Sequence, residues 1–424
     1  MGSSGSGPAR QRLVTLAAIV LAACPVLSVF FEITARDPFS AHGPIYATYY
    51  VGAIVFVFFG VAARVAGRGS GLPNSPVTPT RILGLKVSWF FLVVIAWMVT
   101  ATLLLAPDKA TGIFMIGELC LAVAVGIAAA DLSRASGPVG MARLWWLLCM
   151  SVTITAVAAV IIHVSDPESY GDRGMPVYIH IRVFGFSLTA SIAILTAFLA
   201  QGYADGRRRF PNLVLLTILW AILFWTASRG GIVALVLAMA FGASFIAPLR
   251  RVVLPWTAAL CAGMVLSLAI PGQGHSGTVT LLDDTLGLGR WAIWTNVLEL
   301  IAERPMTGYG YAQYQALMEA HNPRLVQYSH THNIILESLL AVGVLGTLAL
   351  AYVAITGWVG WLLELRKKPN LERMAAFLVV SVLYAYSLVD AVYFFLQATL
   401  FFAVASGILS ARQQREIPDA RGTT

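Results

Sequence analysis

About a dozen apolar runs, most of roughly 17 to 25 residues, follow one another along this chain with short polar joints between them. A hydrocarbon core of ~30 Å takes ~20 apolar residues of helix, so each long run has the length of one membrane crossing. The spacing predicts spans at about 13–31, 45–63, 82–106, 110–130, 144–163, 177–201, 211–227, 230–247, 252–271, 332–362, 373–389 and 392–410. The end of the tenth is loosely set, because its apolar run exceeds one crossing. When the joints alternate between two sides, 20 of the 28 Lys and Arg residues fall on the side of the termini and 8 on the other. Basic residues concentrate in cytoplasmic loops, so the crowded side is read as inside. The eight outer residues are Arg36, Lys109, Arg173, Arg182, Arg229, Arg290, Arg304 and Arg324.

The expected fold is an all-α integral membrane protein of about 12 transmembrane helices with a long loop on the outer side that contains short amphipathic helices. The chain is 58% hydrophobic and 11% charged, where soluble domains are nearer ~25% charged. In a soluble protein a net charge of +8 would suggest nucleic acid; here it is the positive-inside signal, and no nucleic-acid partner is expected. Cys24, Cys120, Cys149 and Cys261 all lie in apolar runs with no CxxC or Cys/His cluster, and read as small hydrophobes. The Gly/Ser-rich start reads as an artificial linker (1–9). The expected layout is then spans one to nine over 10–271, a loop over 272–331, spans ten to twelve over 332–410 and a cytoplasmic tail over 411–424.

The 272–331 segment is unlike the short joints, and long loops without a job are uncommon. Trp291, Trp294, Val297, Leu298 and Ile301 recur at helical spacing within Gly289–Glu303, which predicts an amphipathic helix lying at the interface. The turn Gly308-Tyr309-Gly310-Tyr311 follows, then a second short helix near Gln313–Ala320.

Four outer positions carry candidate chemistry. Ser228-Arg229-Gly230 sits in the tight hairpin between spans seven and eight, Arg290 at the start of the loop helix, and Arg182 in Tyr178-Ile179-His180-Ile181-Arg182, read as about one and a half turns into span six. An Arg inside a membrane is expensive and points to function, against the alternative of snorkelling to the interface. The fourth is Ser329-His330-Thr331-His332-Asn333, with Glu337 beyond it. Its histidines are open to three readings: a metal pair completed by Asp390 or Glu337, a general base, or interface residues satisfied by backbone. There is no DxD, P-loop or H-E-x-x-H motif. Arg forks match phosphate oxygens, so the outer cations suit a lipid-linked phosphate or diphosphate.

The run from His332-Asn333 through Glu337 to Gly343-Val344-Leu345-Gly346, together with Ser228-Arg229-Gly230 and Arg290-Trp291 leading to Pro305, Gly308, Tyr309 and Gly310, resembles the O-antigen ligase and polymerase superfamily over about 175–350. Within it the chain looks most like the O-antigen ligase family. That resemblance implies a glycosyltransferase of lipopolysaccharide biosynthesis in the bacterial inner membrane, with its active site facing the periplasm and both termini cytoplasmic. It implies undecaprenyl-diphosphate-linked polysaccharide as donor and a lipid A-core glycolipid as acceptor, with membrane lipids as the remaining partners. Arg229, Arg290 and His332 match the family's essential residues; Arg182 is a weaker match. The expected chemistry is a metal-independent inverting transfer needing no cofactor. Arg290, Arg229 and Arg182 hold the diphosphate and His332 deprotonates the acceptor hydroxyl, while His330, His180, Tyr309 and Tyr311 contact substrate. O-antigen polymerase and protein O-oligosaccharyltransferase share the donor chemistry. A lipid-diphosphate transporter or flippase is the alternative without chemistry; no broken helix pair or repeat symmetry is visible for it.

Overall fold

The computed structural model describes residues 8–34, 42–68, 89–166, 174–205, 209–271, 285–326, 328–390 and 392–413. The expected linker up to residue 7, the outer Arg36 and Arg173, the inner Arg81 and Lys86, loop residues 272–284 and the tail from 414 lie outside that set. The architecture is helical: α1 (Pro8–Thr34), α2 (His42–Arg68), α3 (Trp89–Leu105), α4 (Lys109–Ser165), α5 (Ile181–Asp205), α6 (Arg209–Trp225), α7 (Arg229–Phe245), α8 (Ala247–Arg250), α9 (Val253–Ser267), α10 (Thr285–Glu303), α11 (Tyr314–His321), α12 (Ile334–Lys367), α13 (Leu371–Ser387) and α14 (Leu396–Gln413). Among the described residues, six segments are long and apolar enough to cross a membrane, two of them (Lys109–Ser136 and Val139–Ser165) within α4. Spans four and five, expected as separate helices, are thus joined in one helical assignment.

Two helices form the centre. The apolar stretch of α5 is 94% buried, against 33–56% for the other crossing segments. Nearly every residue of α13 from Glu372 to Leu383 is buried with it. The outer helices keep one apolar face open, as Phe58, Val51, Leu104 and Leu254 show; that is the surface lipid would cover. Hydroxyls buried on α5 turn back on their own helix, as when Thr196 donates to Ile192 O at 2.7 Å, and Trp256 donates to Thr196 from α9 at 3.0 Å. The free ends of the two central helices, the start of α5 and the end of α13, meet at the candidate site.

Helix starts follow side-chain caps. Asp108 accepts from Thr111 N, Asn333 from Ile335 N and Leu336 N, and Asn370 from Arg373 N, each pairing donors that the first turn leaves open. The start of α5 differs from expectation. Residues 174–180 form a small antiparallel pair, β1 (Gly174–Met175) with β2 (Ile179–His180). Arg182 therefore sits in the first turn of α5 and not one and a half turns inside a crossing. The buried Glu32 carboxylate accepts from Val177 N at 3.0 Å and pins this hairpin to α1.

Span ten is a broken helix, a feature the uniformly apolar sequence does not announce. Gly343 has φ 69° and ψ −174° inside α12. The loop supplies the hydrogen bonds the break removes: Val344 N donates to Pro305 O at 2.8 Å, Tyr309 N to Leu340 O at 2.7 Å and Gly310 N to Ala341 O at 3.0 Å. A Cβ on Gly343 would stand 2.3 Å from Met306 O, so no other residue fits without moving the loop. The turn is tied further to α3 and α4: Trp97 donates to Thr307 O, Tyr311 N donates to Thr102, and Gln313 bridges Asp108 N and O. Irregular backbone at this depth is tolerated where protein covers it.

Candidate active site

His332 lies between the loop and α12 in the left-handed region, φ 54°. That backbone costs of order 1–3 kcal/mol for a non-glycine residue and needs surroundings that over-determine it. They do. Thr331 O accepts from Trp294 at 3.0 Å, Thr331 N donates to the buried Glu337 carboxylate at 3.2 Å, and Asn333 both caps α12 and donates to Leu388 O at 3.1 Å. Trp294, expected on the apolar face of an interfacial helix, here holds the segment that carries the histidines, while Trp291 is exposed.

The His332 side chain is buried and meets Asp390, 58 positions away. Nδ1 is 2.8 Å from Asp390 Oδ1. A carboxylate only accepts, so Nδ1 carries the proton and the lone pair is on Nε2. Arg182 Nη1 stands 3.1 Å from Nε2 and 3.0 Å from Nδ1, and Arg182 Nε is 3.7 Å from Asp390 Oδ2. Burial lowers the His332 pKa below its ordinary value; the charges of Arg182 and Arg290 lower it further, against the opposing pull of Asp390. The imidazole is therefore neutral near pH 7, as a base must be. Burial alone would raise Asp390, but its hydrogen bond to His332 and the charge of Arg182 outweigh that and hold its carboxyl well below the usual range, so it is ionised.

His330 packs against His332 with ring centroids 4.1 Å apart. Its Nδ1 accepts from His332 N at 3.3 Å, which places its proton on Nε2, 3.8 Å from Asp390 Oδ1. The His330, His332 and Asp390 ligand atoms lie within 4.8 Å of one another, the proximity a metal reading needs. The donor set fits a cation poorly. His330 spends its lone pair on its own chain, His332 and Asp390 satisfy each other, and a guanidinium already lies about 3 Å from both His332 nitrogens.

The other expected residues divide. Arg290, half-buried in α10, acts electrostatically on both His332 and Tyr386. Arg229 opens α7 beside Tyr386, whose hydroxyl bonds Ser228 and whose ring would meet a Cβ on Gly230 at 2.7 Å. Asp390 is one turn beyond Tyr386 and donates N–H to its carbonyl, so the Arg229 hairpin packs on the element that carries Asp390. Tyr309 lies in the loop core, its hydroxyl on Glu303 at 2.7 Å and Arg304 over its ring at 4.6 Å; it is not part of the His332 cluster. Tyr311 stacks on Phe394 at 5.9 Å, one ring beyond His330. His180 pairs through its backbone with Gly174, and its side chain lies outside the described residues. Asp390 in its role as partner to His332, and Tyr386 as the seat of the Arg229 hairpin, escape the sequence reading. The available signal for Asp390 was an acidic residue between two apolar runs with no basic neighbour in sequence.

Helices of this length and apolarity around a buried carboxylate–imidazole–guanidinium cluster define a multi-pass membrane protein with a polar site at the ends of its central helices. Residues 213–351 match the model of a family described as O-Antigen ligase, and the chain carries that family's domain. Arg229, Arg290, His330 and His332 lie inside the matched stretch, with Arg182 before it and Asp390 after it. No curated protein matches the chain.

Proposed function

We propose that this protein is an O-antigen ligase, which transfers a polysaccharide from undecaprenyl diphosphate to a sugar hydroxyl of a lipid A-core glycolipid. The observation that carries the reading is the neutral His332 imidazole, held by Asp390 at Nδ1, with Arg182 against its ring and with Arg290 close enough to act on it. In this reading about twelve spans place both termini in the cytoplasm and the 272–331 loop in the periplasm, and the site opens to the outer leaflet.

The donor diphosphate takes Arg182, Arg290 and Arg229 as counter-charges, and Arg182 leaves the His332 ring to reach it. Nε2 is then free to take the acceptor hydroxyl proton. The acceptor oxygen bonds to the anomeric carbon as the bond from that carbon to the diphosphate oxygen breaks. Undecaprenyl diphosphate leaves with the bonding pair, and attack from the opposite face inverts the centre. Asp390 stabilises the imidazolium until the proton passes to solvent. Guanidinium groups neutralise the leaving group, so no metal is required. Supporting this over a carrier are the oriented base and the family domain. The broken α12 is the one transporter-like feature, and among the described residues it has no second, matching break.

The test is purified protein in nanodiscs with lipid-linked donor and lipid A-core, without ATP or divalent metal. Glycan appearing on lipid A-core supports the ligase. Growth of the lipid-linked chain instead indicates a polymerase, transfer to Ser or Thr a protein oligosaccharyltransferase, and donor binding without any product a carrier.

A further inference from the structure

Among the described residues four non-glycine residues have a left-handed φ, and three of them stand at the site. They are Val177 (70°) five residues before Arg182, Ala227 (52°) two before Arg229, and His332 itself (54°). For a β-branched valine this backbone is an outlier, and such strain persists only where the surroundings over-determine it. Tyr178 N donates to Pro176 O at 2.7 Å across Val177, the hydrogen bond of a γ-turn, whose left-handed form is rare and strained. Pro176, Val177 and Tyr178 are all buried.

Two side chains hold this turn, one from α1 and one from the turn itself. Glu32, the last residue of the first candidate span, accepts from Val177 N at 3.0 Å. It is buried, and among the described residues no Lys, Arg or His forms an ion pair with it. An ionisable residue in a span is costly and calls for a reason; here its charge-assisted hydrogen bond fixes the strained turn. The Tyr178 hydroxyl meets Thr155 of α4 at 2.7 Å, and its ring lies 4.7 Å from that of Phe184 in the first turn of α5. No slack separates the turn from the helix, because β2 ends at His180 and α5 opens at Ile181. The first N–H groups of a helix have no intrahelical partner, so the place of its first turn depends on what precedes it. Arg182 is the second residue of α5. Its guanidinium stands 3.0 and 3.1 Å from the ring nitrogens of His332 and 3.7 Å from Asp390. A shift of the hairpin thus becomes a shift of that guanidinium.

We propose that Glu32 is a positioning residue for Arg182: through the strained turn at Val177 it sets where the guanidinium stands against His332 and where it meets the donor diphosphate. Tyr178 is the second tether. The diphosphate part rests on the ligase reading; the contact with His332 does not. The test uses full-length protein in nanodiscs and two readouts: binding of undecaprenyl diphosphate, and the pH titration of the His332 ring followed by NMR without donor. The groups that face that ring are Arg182, Arg290, Asp390 and His330. The charge of Arg182 disfavours the imidazolium, so displacing it should raise the His332 pKa toward its ordinary value. Glu32→Ala should do so, and should weaken undecaprenyl diphosphate binding about tenfold or more as a charge-assisted hydrogen bond is lost. Glu32→Gln, whose amide oxygen still accepts from Val177 N, should restore both. Tyr178→Phe should move both the same way by less. It keeps the ring and leaves Thr155 bonded to Ser151 O and Val152 O, so it decides the matter if Glu32→Ala fails to fold. In an Arg182→Ala background Glu32→Ala should add nothing to either readout, because its effect passes through that side chain. A lowered melting temperature with wild-type binding and titration would make Glu32 merely structural and overturn the proposal, as would effects that add to those of Arg182→Ala. No binding of undecaprenyl diphosphate by the wild type would sink the ligase reading, and the His332 titration would still decide the role of Glu32.

Discussion

Replacing Asp390 by Asn tests the reasoning at its most specific point. The carboxylate accepts from His332 Nδ1 at 2.8 Å and is held ionised by that bond and by Arg182. Asn is nearly isosteric, so packing survives and two electronic effects remain. The first is loss of a charge-assisted hydrogen bond to the imidazolium that forms as the acceptor is deprotonated, which costs about 1.5–3 kcal/mol, or roughly 10- to 150-fold in rate. The second is tautomeric. An amide N–H facing Nδ1 stabilises the form with the proton on Nε2, and that form has no lone pair where the base needs one. Together the effects predict a loss of about 10³–10⁴-fold, the scale seen when a histidine base loses its carboxylate partner elsewhere. The assay is single-turnover transfer at saturating donor, with donor binding measured separately; binding should change little because the arginines remain. The pH profile carries the sign. Activity requires neutral His332, so it is full above the folded pKa and falls as pH drops through it. That pKa lies below 6.5 in the wild type. Removing the carboxylate removes the group that raises it, so the acid limb of the residual activity should move further down. Transfer within a few-fold of wild type, or an acid limb moving up, would refute the pairing.

Four further outcomes are expected. Arg290→Ala should abolish transfer while folding and insertion survive, with Arg290→Lys rescuing only in part because a point charge lacks the bidentate fork; wild-type turnover by the Ala variant would remove Arg290 from the site. His332→Ala should bind donor yet lose transfer by about 10²–10⁴-fold, the usual range for a general base; His330→Ala should be milder, and the reverse order would mean that His330 is the base. EDTA should leave activity intact, and loss restored by Mg²⁺ or Mn²⁺ would make His330, His332 and Asp390 a metal site after all. Gly343→Ala should lower the melting temperature and reduce transfer, since a left-handed φ of 69° costs of order 1 kcal/mol or more for alanine and its Cβ would meet Met306 O at 2.3 Å; an unchanged melting curve would show that the loop is not seated on the break.

What could be read in the sequence, and what could not, follows from the range of the interactions. Hydropathy reports what each residue meets locally, and it located the apolar segments and the loop helix, expected from Gly289 and observed from Thr285. It cannot say which carbonyls find partners in a distant segment. The stretch Leu340-Ala341-Val342-Gly343-Val344 is apolar throughout, and the break at Gly343 exists because 305–310 arrives to bond Leu340, Ala341 and Val344. The start of α5 was misplaced for a related reason: the hairpin at 174–180 is held by Glu32, far away in sequence. Motif resemblance selected His332, Arg229 and Arg290, but not the carboxylate that orients the base, since Asp390 is 58 residues from His332 and sits outside the matched stretch.

The placement of the site has its own physical logic. A buried carboxylate, two imidazoles and a guanidinium cannot be accommodated midway along α5 or α13, where neighbours are apolar and every backbone group is already paired. At the ends of those helices the backbone is open to bond outside the helix, and the loop closes over it: Asp390 follows the last turn of α13, Arg182 occupies the first turn of α5, and the loop brings His332 to both. The most buried helices can therefore carry the most polar site, provided that its groups satisfy one another. They do so here by a contact that donor binding would have to undo, because Arg182 Nη1 lies against the imidazole, 3.0 and 3.1 Å from the two ring nitrogens of His332. Under the proposed mechanism the base is masked until a diphosphate draws the guanidinium away, which would protect the site from deprotonating an acceptor, or water, before a donor is present.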